Sequence, residues 1–402
     1  MIRTLFTTFL SLGFATAAPS SSIMARQDSG APAPRKLLIG APFQIFTADF
    51  DGSSFSITST NTTSGTAPSW LVTKEPNLVY AVNENADGLN LFTLSDDKMS
   101  LSPVSTVSGS SGVVFLEFNL DQTRLVGAAY GNGSVDVWDS SAADGSLKYI
   151  KKIDVSTFGD PSPGQTGHHP HQALLEPSGR WFVIPDLGGD KLFLLDGKDD
   201  RWDMTVAAEF PAGTGPRHGG FITTSDNATY YALASELSNE VFLFRLDYDT
   251  TGDGTVEFTL VQQQSTYGAA FPPQNATSAA AGELAVAANQ RDVYISNRLS
   301  GNTTDSIAHF VFDPSLPGLS FADTVSSGGI LPRMFSLSTD GADQPLVFVA
   351  NQGGDSGLVA LARSADTGAL DPTPVATMPN KALVAPELAA SPNMGPQFVL
   401  EI

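Results

Sequence analysis

Arginine, histidine and glutamate recur in this 402-residue chain in patterns that can do proton and anion chemistry. His168, His169 and His171 fall within one short segment, with Pro170 between the last two. Arg217 and His218 follow Gly215-Pro216, and Glu236 ends the run YALASE. Asn297-Arg298 and Leu331-Pro332-Arg333 complete the set. A guanidinium offers a planar fork suited to carboxylate or phosphate. Histidine and glutamate can be tuned toward neutrality by burial and neighbours, and so can carry a proton. No metal or organic cofactor is expected. The H-x-H spacing suits a strand edge, but no nearby carboxylate pattern completes a ligand set, and the chain has no cysteine.

The elements that must position these residues are short strands. From Gly167 to Leu195, brief apolar runs alternate with Pro177-Ser178-Gly179 and Leu187-Gly188-Gly189-Asp190, a pattern of strands in a meander rather than of helices. The pattern repeats. NLVYAVNE, TRLVGAAY, RWFVIPD, TYYALASE, RDVYISNR and PLVFVANQ are equivalent second strands, each followed by a turn, a third apolar strand and a more polar fourth. The unit recurs roughly every 40 to 60 residues, the period of four-stranded propeller blades. Units begin near Ser69, Gly112, His171, Arg217, Gly282 and Arg333. A further blade assembles from residues 36–60 and the C-terminal PQFVLEI, which closes the ring and hides its edges. The expected fold is therefore an all-β, seven-bladed β-propeller of four-stranded blades, with six blades as the competing count. Only residues 382–390 suggest a turn of helix.

In such a ring, residues just before a first strand and just after a second strand crowd one mouth of the central channel. His168, His169, His171, Arg217, His218, Glu236, Arg298 and Arg333 all occupy such places. Simpler roles attach to the same residues. The histidine segment can be a polar loop over the channel, Glu236 a turn-capping carboxylate, and Arg217 the partner of a neighbouring blade's acid. Asp186 and Asn351 read as turn formers, and His309 as structural.

Composition sets the context. The net charge of −21 argues against nucleic acid and against anionic membrane surfaces. Residues 1–18 read as an export signal, with Arg3, an apolar run and Ala15-Thr16-Ala17. Residues 19–35 read as a flexible leader and residues 36–402 as the propeller domain. Sequons at Asn61, Asn132, Asn227, Asn275 and Asn302, all expected in loops or turns, fit a secreted glycoprotein.

The segments HPHQALLEPSGRWFVIPDLGGDKL, GPRHGGF, YALASELSNEVFLF, DVYISNR, PRMFSL and LVFVANQ resemble the lactonase family of seven-bladed propellers. That family includes 6-phosphogluconolactonases and fungal carboxy-cis,cis-muconate lactonizing enzymes (cyclases). The resemblance implies a lactone or its open-chain carboxylate as the small-molecule substrate. It implies His171, Arg217, Glu236 and Arg298 as catalytic residues, with His169 as the alternative histidine. His169, His218 and Arg333 are expected to bind substrate. An export signal argues against a sugar-phosphate lactone. The alternative is a non-catalytic propeller that binds carbohydrate or protein.

Overall fold

The structure is a computed structural model that describes residues 33–402 except positions 64, 250, 252, 253 and 270. The expected export signal and most of the expected leader lie outside the described residues. Residues 34–402 form one unit of seven four-stranded antiparallel sheets.

Blade 1 joins the two ends of the chain. The C-terminal strand β28 (Phe398–Glu401) is its innermost member, followed by β1 (Arg35–Ala41), β2 (Gln44–Phe50) and β3 (Phe55–Asn61). Ile39 pairs with Val399, and Leu37 with Glu401. Arg35 belongs to β1 rather than to the leader. Its guanidinium lies 2.9 Å from Glu401 and 2.6 Å from Asp340, which ties the strand down. The remaining blades are consecutive meanders that begin with β4 (Leu71–Lys74), β8 (Val113–Phe118), β12 (Leu174–Leu175), β16 (Pro216–Thr223), β20 (Ala280–Val286) and β24 (Ile330–Leu337).

Each blade is covered by neighbours on both faces, so middle strands are continuous apolar runs. Every residue of the second strands β13 (Trp181–Asp186) and β17 (Thr229–Ser235) is buried. Outer strands such as β7 (Leu101–Ser108) and β11 (Lys148–Asp154) are largely exposed and polar. The core is accordingly divided between blades. Phe115, Phe182 and Phe193 join blades 3 and 4, and Phe50 meets Phe348 edge-on at 5.4 Å between blades 1 and 7. Burying each such side chain contributes roughly 1.5–3 kcal/mol. The helical turn expected at 382–390 occurs as two 3₁₀ turns, Asn380–Ala382 and Pro386–Leu388.

Asn132, Asn227 and Asn275 are exposed in turns or loops. Asn61 is not in a loop: it ends β3 by pairing with Ile45, and its Nδ2 donates to the Leu101 carbonyl at 3.3 Å. Asn302 is half-buried, with Nδ2 donating to Pro272 O at 2.9 Å.

Candidate active site

Four inner strands carry an irregularity at the same height near their starts. The register of β8 shifts between Val113 and Phe115, that of β16 between Pro216 and His218, that of β20 between Ala281 and Leu284, and that of β24 between Pro332 and Met334. An extra residue in one strand of a pair re-aims a side chain. Val114, Arg217, Glu283 and Arg333 thereby line one small space around the axis, with His171, His218, Ser69 and Trp70. That space measures only about 10 Å³, so the residues' own side chains nearly fill it.

Second-strand ends supply the other half. Glu236, which follows β17, accepts from Arg217 Nη1 at 2.6 Å and lies 2.9 Å from Nη2 of Arg298, the last residue of β21 (Asp292–Arg298). The shared carboxylate links blades 5 and 6, so Glu236 is an anion clamped by two cations and not a turn cap. Arg298 Nη2 also donates to Ala281 O at 2.9 Å. A side chain at Gly282 would meet Arg298 Nε at 3.0 Å and Ser296 Oγ at 2.5 Å, so the guanidinium needs glycine there. Nε of Arg217 and Nε of Arg298 are buried without a partner among the described residues. These are two orphan donors beside one carboxylate.

His171 heads a directed chain. Arg217 Nη1 donates to its Nε2, so the ring proton is on Nδ1 and donates to His218 Nε2 at 2.9 Å. His218 then carries its proton on Nδ1 and donates to both Glu283 oxygens at 3.0 Å. Both imidazoles are neutral in this arrangement. Burial, then Arg217 and His218, hold His171 well below the ordinary histidine range. Burial lowers His218 as well, against the pull of Glu283.

Burial opposes the charge on Glu236, but Arg298 and Arg217 outweigh it and bring the carboxyl down to about 2. Burial lowers Arg217 to about 10, which leaves it cationic at neutrality. On the other side of the axis Arg333 Nη2 donates to Glu84 at 2.7 Å. Burial would raise Glu84, yet Arg333 holds it below the ordinary carboxylate range. Three guanidiniums thus face three carboxylates, Glu236, Glu84 and Glu283.

The predicted quartet His171, Arg217, Glu236 and Arg298 shares one cluster, and His218 and Arg333 join it. His169 stands one layer out, stacked on Tyr130 at 4.2 Å; the same tyrosine meets His171 edge-on at 5.5 Å. His168 is turned to Asp186, with Nδ1 donating at 2.6 Å and Nε2 donating to Gly159 O at 2.9 Å. Two acceptors require two ring protons, and Asp186 raises His168 above the ordinary histidine range. Asp186 is fully buried and also accepts from His169 N at 2.6 Å. It pins the histidine segment to the end of β13 and is not a turn former. Asn351 is likewise buried, donating to Ser327 O at 2.9 Å.

Glu84, Glu283, Tyr130 and Trp70 were not singled out from sequence. Glu84 and Tyr130 end the same kind of second strand as Glu236, and Glu283 is the one charge in the apolar strand AAGELAV.

The cluster makes stability depend on acid. Unfolded chains take up protons below about pH 6.5 that His171 and His218 refuse in the fold. Glu236 adds a second loss as pH falls from the ordinary carboxylate range toward about 2. Stability measured by denaturant is therefore expected to decline from about pH 6.5 downward. In a folded His171→Phe/His218→Phe double variant the first part of that decline should disappear or reverse, because burial raises Glu117 to about 7 and its protonation favours the fold over the same range.

A family model described as "Lactonase, 7-bladed beta-propeller" matches residues 36–385. The chain is 28% identical over 344 residues to a protein of Arthroderma benhamiae named "Probable 6-phosphogluconolactonase", covering 83% of each chain. It is 30% identical over 315 residues to the 6-phosphogluconolactonase of Bacillus subtilis, covering 75% of this chain and 84% of that one. The solved periplasmic gluconolactonase PpgL of Pseudomonas aeruginosa superposes with a TM-score of 0.73 at 24% identity, over 92% of this chain and 99% of that one. At that identity the likeness is one of fold.

Proposed function

The chain belongs to the lactonase family of seven-bladed β-propellers, and from that premise we propose that it opens a lactone ring with water at the Arg217–Glu236–Arg298 mouth. The observation that carries this reading is the pair of buried guanidiniums, each with an unpartnered Nε, beside a neutral His171. When a lactone carbonyl oxygen engages Arg217, the arginine releases His171 Nε2 as a base. His171 takes a proton from water as the water oxygen attacks the carbonyl carbon. The oxyanion of the tetrahedral intermediate is held by Arg217 and Arg298. Its collapse breaks the ring C–O bond, and His171 returns the proton to the leaving alkoxide, which yields a hydroxy acid.

Glu236, ionised throughout, orients the two guanidiniums. The chain through His218 to Glu283 fixes the His171 tautomer and shares the positive charge while it lasts. His169 and Tyr130 buttress the same wall. Three cations matched by three anions leave no surplus positive charge for a dianionic phosphate. A lactone without a phosphate is the substrate this balance fits.

The deciding assay compares glucono-δ-lactone, 6-phosphoglucono-δ-lactone and a muconolactone in both directions. Turnover of the unphosphorylated lactone supports the proposal. Turnover confined to the phosphorylated lactone refutes the charge argument. Ring closure without opening favours a muconate cyclase, and no turnover at all favours a carbohydrate- or protein-binding propeller. Activity is proposed to be metal-independent and to survive exhaustive chelation unchanged. The proposed export and glycosylation predict a secreted product that begins near Pro19 and loses mass on glycosidase treatment.

A neutral His171 base sets the pH profile. Because its conjugate acid is disfavoured, kcat/KM is expected to stay flat from pH 8 down through about 6.5, with the acid limb lower still. A limb centred at or above 6.5 would place the base elsewhere.

A further inference from the structure

The channel has a second end. On the other side of Trp70 lies a cavity of about 450 Å³ at the finishing ends of the inner strands, walled by Leu175, Met334, Phe398, Leu400 and Glu117. Trp70 and Met334 border both this cavity and the candidate active site, so the indole is a partition between them. It is held there by Nε1 donating to Leu116 O at 3.2 Å and by its contact with Phe115 at 4.3 Å.

Among the described residues Glu117 is the only charged side chain in that wall; Thr73, Asn119 and Gln122 are neutral. Its carboxyl is half-buried and makes no hydrogen bond or ion pair with any described residue. Glu236, Glu84 and Glu283 each have a cationic or imidazole partner, and Glu117 has none. A half-buried carboxylate without a partner keeps part of its water and is free to pair with a cation that enters the cavity.

We propose that this far end of the channel is a binding site for a small organic cation, an alkyl- or arylammonium. Its charged head pairs with Glu117, and its hydrocarbon body lies against Trp70 and the apolar wall. The volume is in the range of sites for small organic molecules, an indole face attracts ammonium groups, and a chain of net charge −21 gathers cations. The site stands independently of lactone opening.

Binding is coupled to pH through Glu117, which burial pushes up to about 7. Charged groups on neighbouring elements have partners of their own. Lys74 donates to Gln122 O and Ser140 O, Arg124 pairs with Asp200, and Arg333 pairs with Glu84. Glu176 accepts from Ser178 and Tyr248, and Glu401 pairs with Arg35. Below about pH 7 a cation must displace a proton from Glu117, so affinity falls as pH drops; above it, affinity is level.

The test is calorimetric titration of the full chain with benzylammonium chloride and, separately, with benzyl alcohol, at pH 8 and pH 5.5. Glu117→Gln is the companion variant, a neutral isostere whose thermal stability checks that it folds. The expected result is millimolar or tighter binding of benzylammonium at pH 8, at least tenfold weaker at pH 5.5 and in Glu117→Gln. Benzyl alcohol should bind at least tenfold more weakly than the cation. Equal binding by wild type and a folded Glu117→Gln, equal binding of alcohol and cation, or no binding of benzylammonium would each overturn the proposal.

Discussion

Arg217→Ala is expected to lower kcat/KM for lactone opening by about 10²–10³-fold, the usual cost of losing one donor to a developing oxyanion. The guanidinium serves at two points in the cluster. It donates to Glu236 and to His171 Nε2, and its Nε is an orphan donor. Removing it leaves Glu236 to Arg298 alone and frees His171 before substrate arrives. The loss should appear mainly in kcat, because the oxyanion exists only along the reaction path. Arg217→Lys keeps a charge without the planar fork and should recover only part of the rate. Melting curves of both variants separate catalysis from folding. Activity within threefold of wild type in a folded Arg217→Ala protein would remove the guanidinium from the reaction.

Asp292→Ala is expected to destabilise the protein by about 3–5 kcal/mol, the range for breaking a buried ion pair on one side. Asp292 opens β21 and is fully buried between blades 6 and 7. It receives Arg363 Nη2 at 2.5 Å, Asn289 Nδ2 at 2.8 Å and His309 Nε2 at 3.1 Å. Arg363 is buried as well, and its Nε donates to Tyr294 Oη at 2.7 Å. With the carboxylate gone, a guanidinium stays in the interior without its counter-charge. The double variant Asp292→Ala/Arg363→Met removes that orphan and should regain much of the loss. Denaturant midpoints of the two singles and the double close the cycle. A single-variant cost below about 1 kcal/mol would mean that water reaches the pair. The pair also has a pH signature. Burial opposes the charge on Asp292, but its partners, His309 first, hold it below the ordinary carboxylate range. Its contribution is therefore full above that range and lost as pH falls through the lowered value.

What could be read from the chain alone was what repeats. Blades recur because each buries two faces, and that burial writes the same apolar second and third strands seven times over. The register of Arg217, Glu236 and Arg298 at strand starts and ends followed from it, as did closure by the C-terminal strand. His309 was legible as structural because it stands in an apolar third strand, which the fold buries almost continuously.

What escaped is what the ring makes from distant pieces. Glu84 and Arg333 pair across 249 positions, and no local pattern announces the partner of either. Glu283 stands alone as a charge in an apolar strand, and its partner appears only where the bulge in β20 turns it to His218. Asp186 reads as a turn residue from its Pro-Asp context, but the returning loop places two donors on it. Periodicity is a property of short segments and survives in the sequence. Bulges, tautomers and cross-axis ion pairs depend on how seven blades close around one axis, and only the closed ring specifies them.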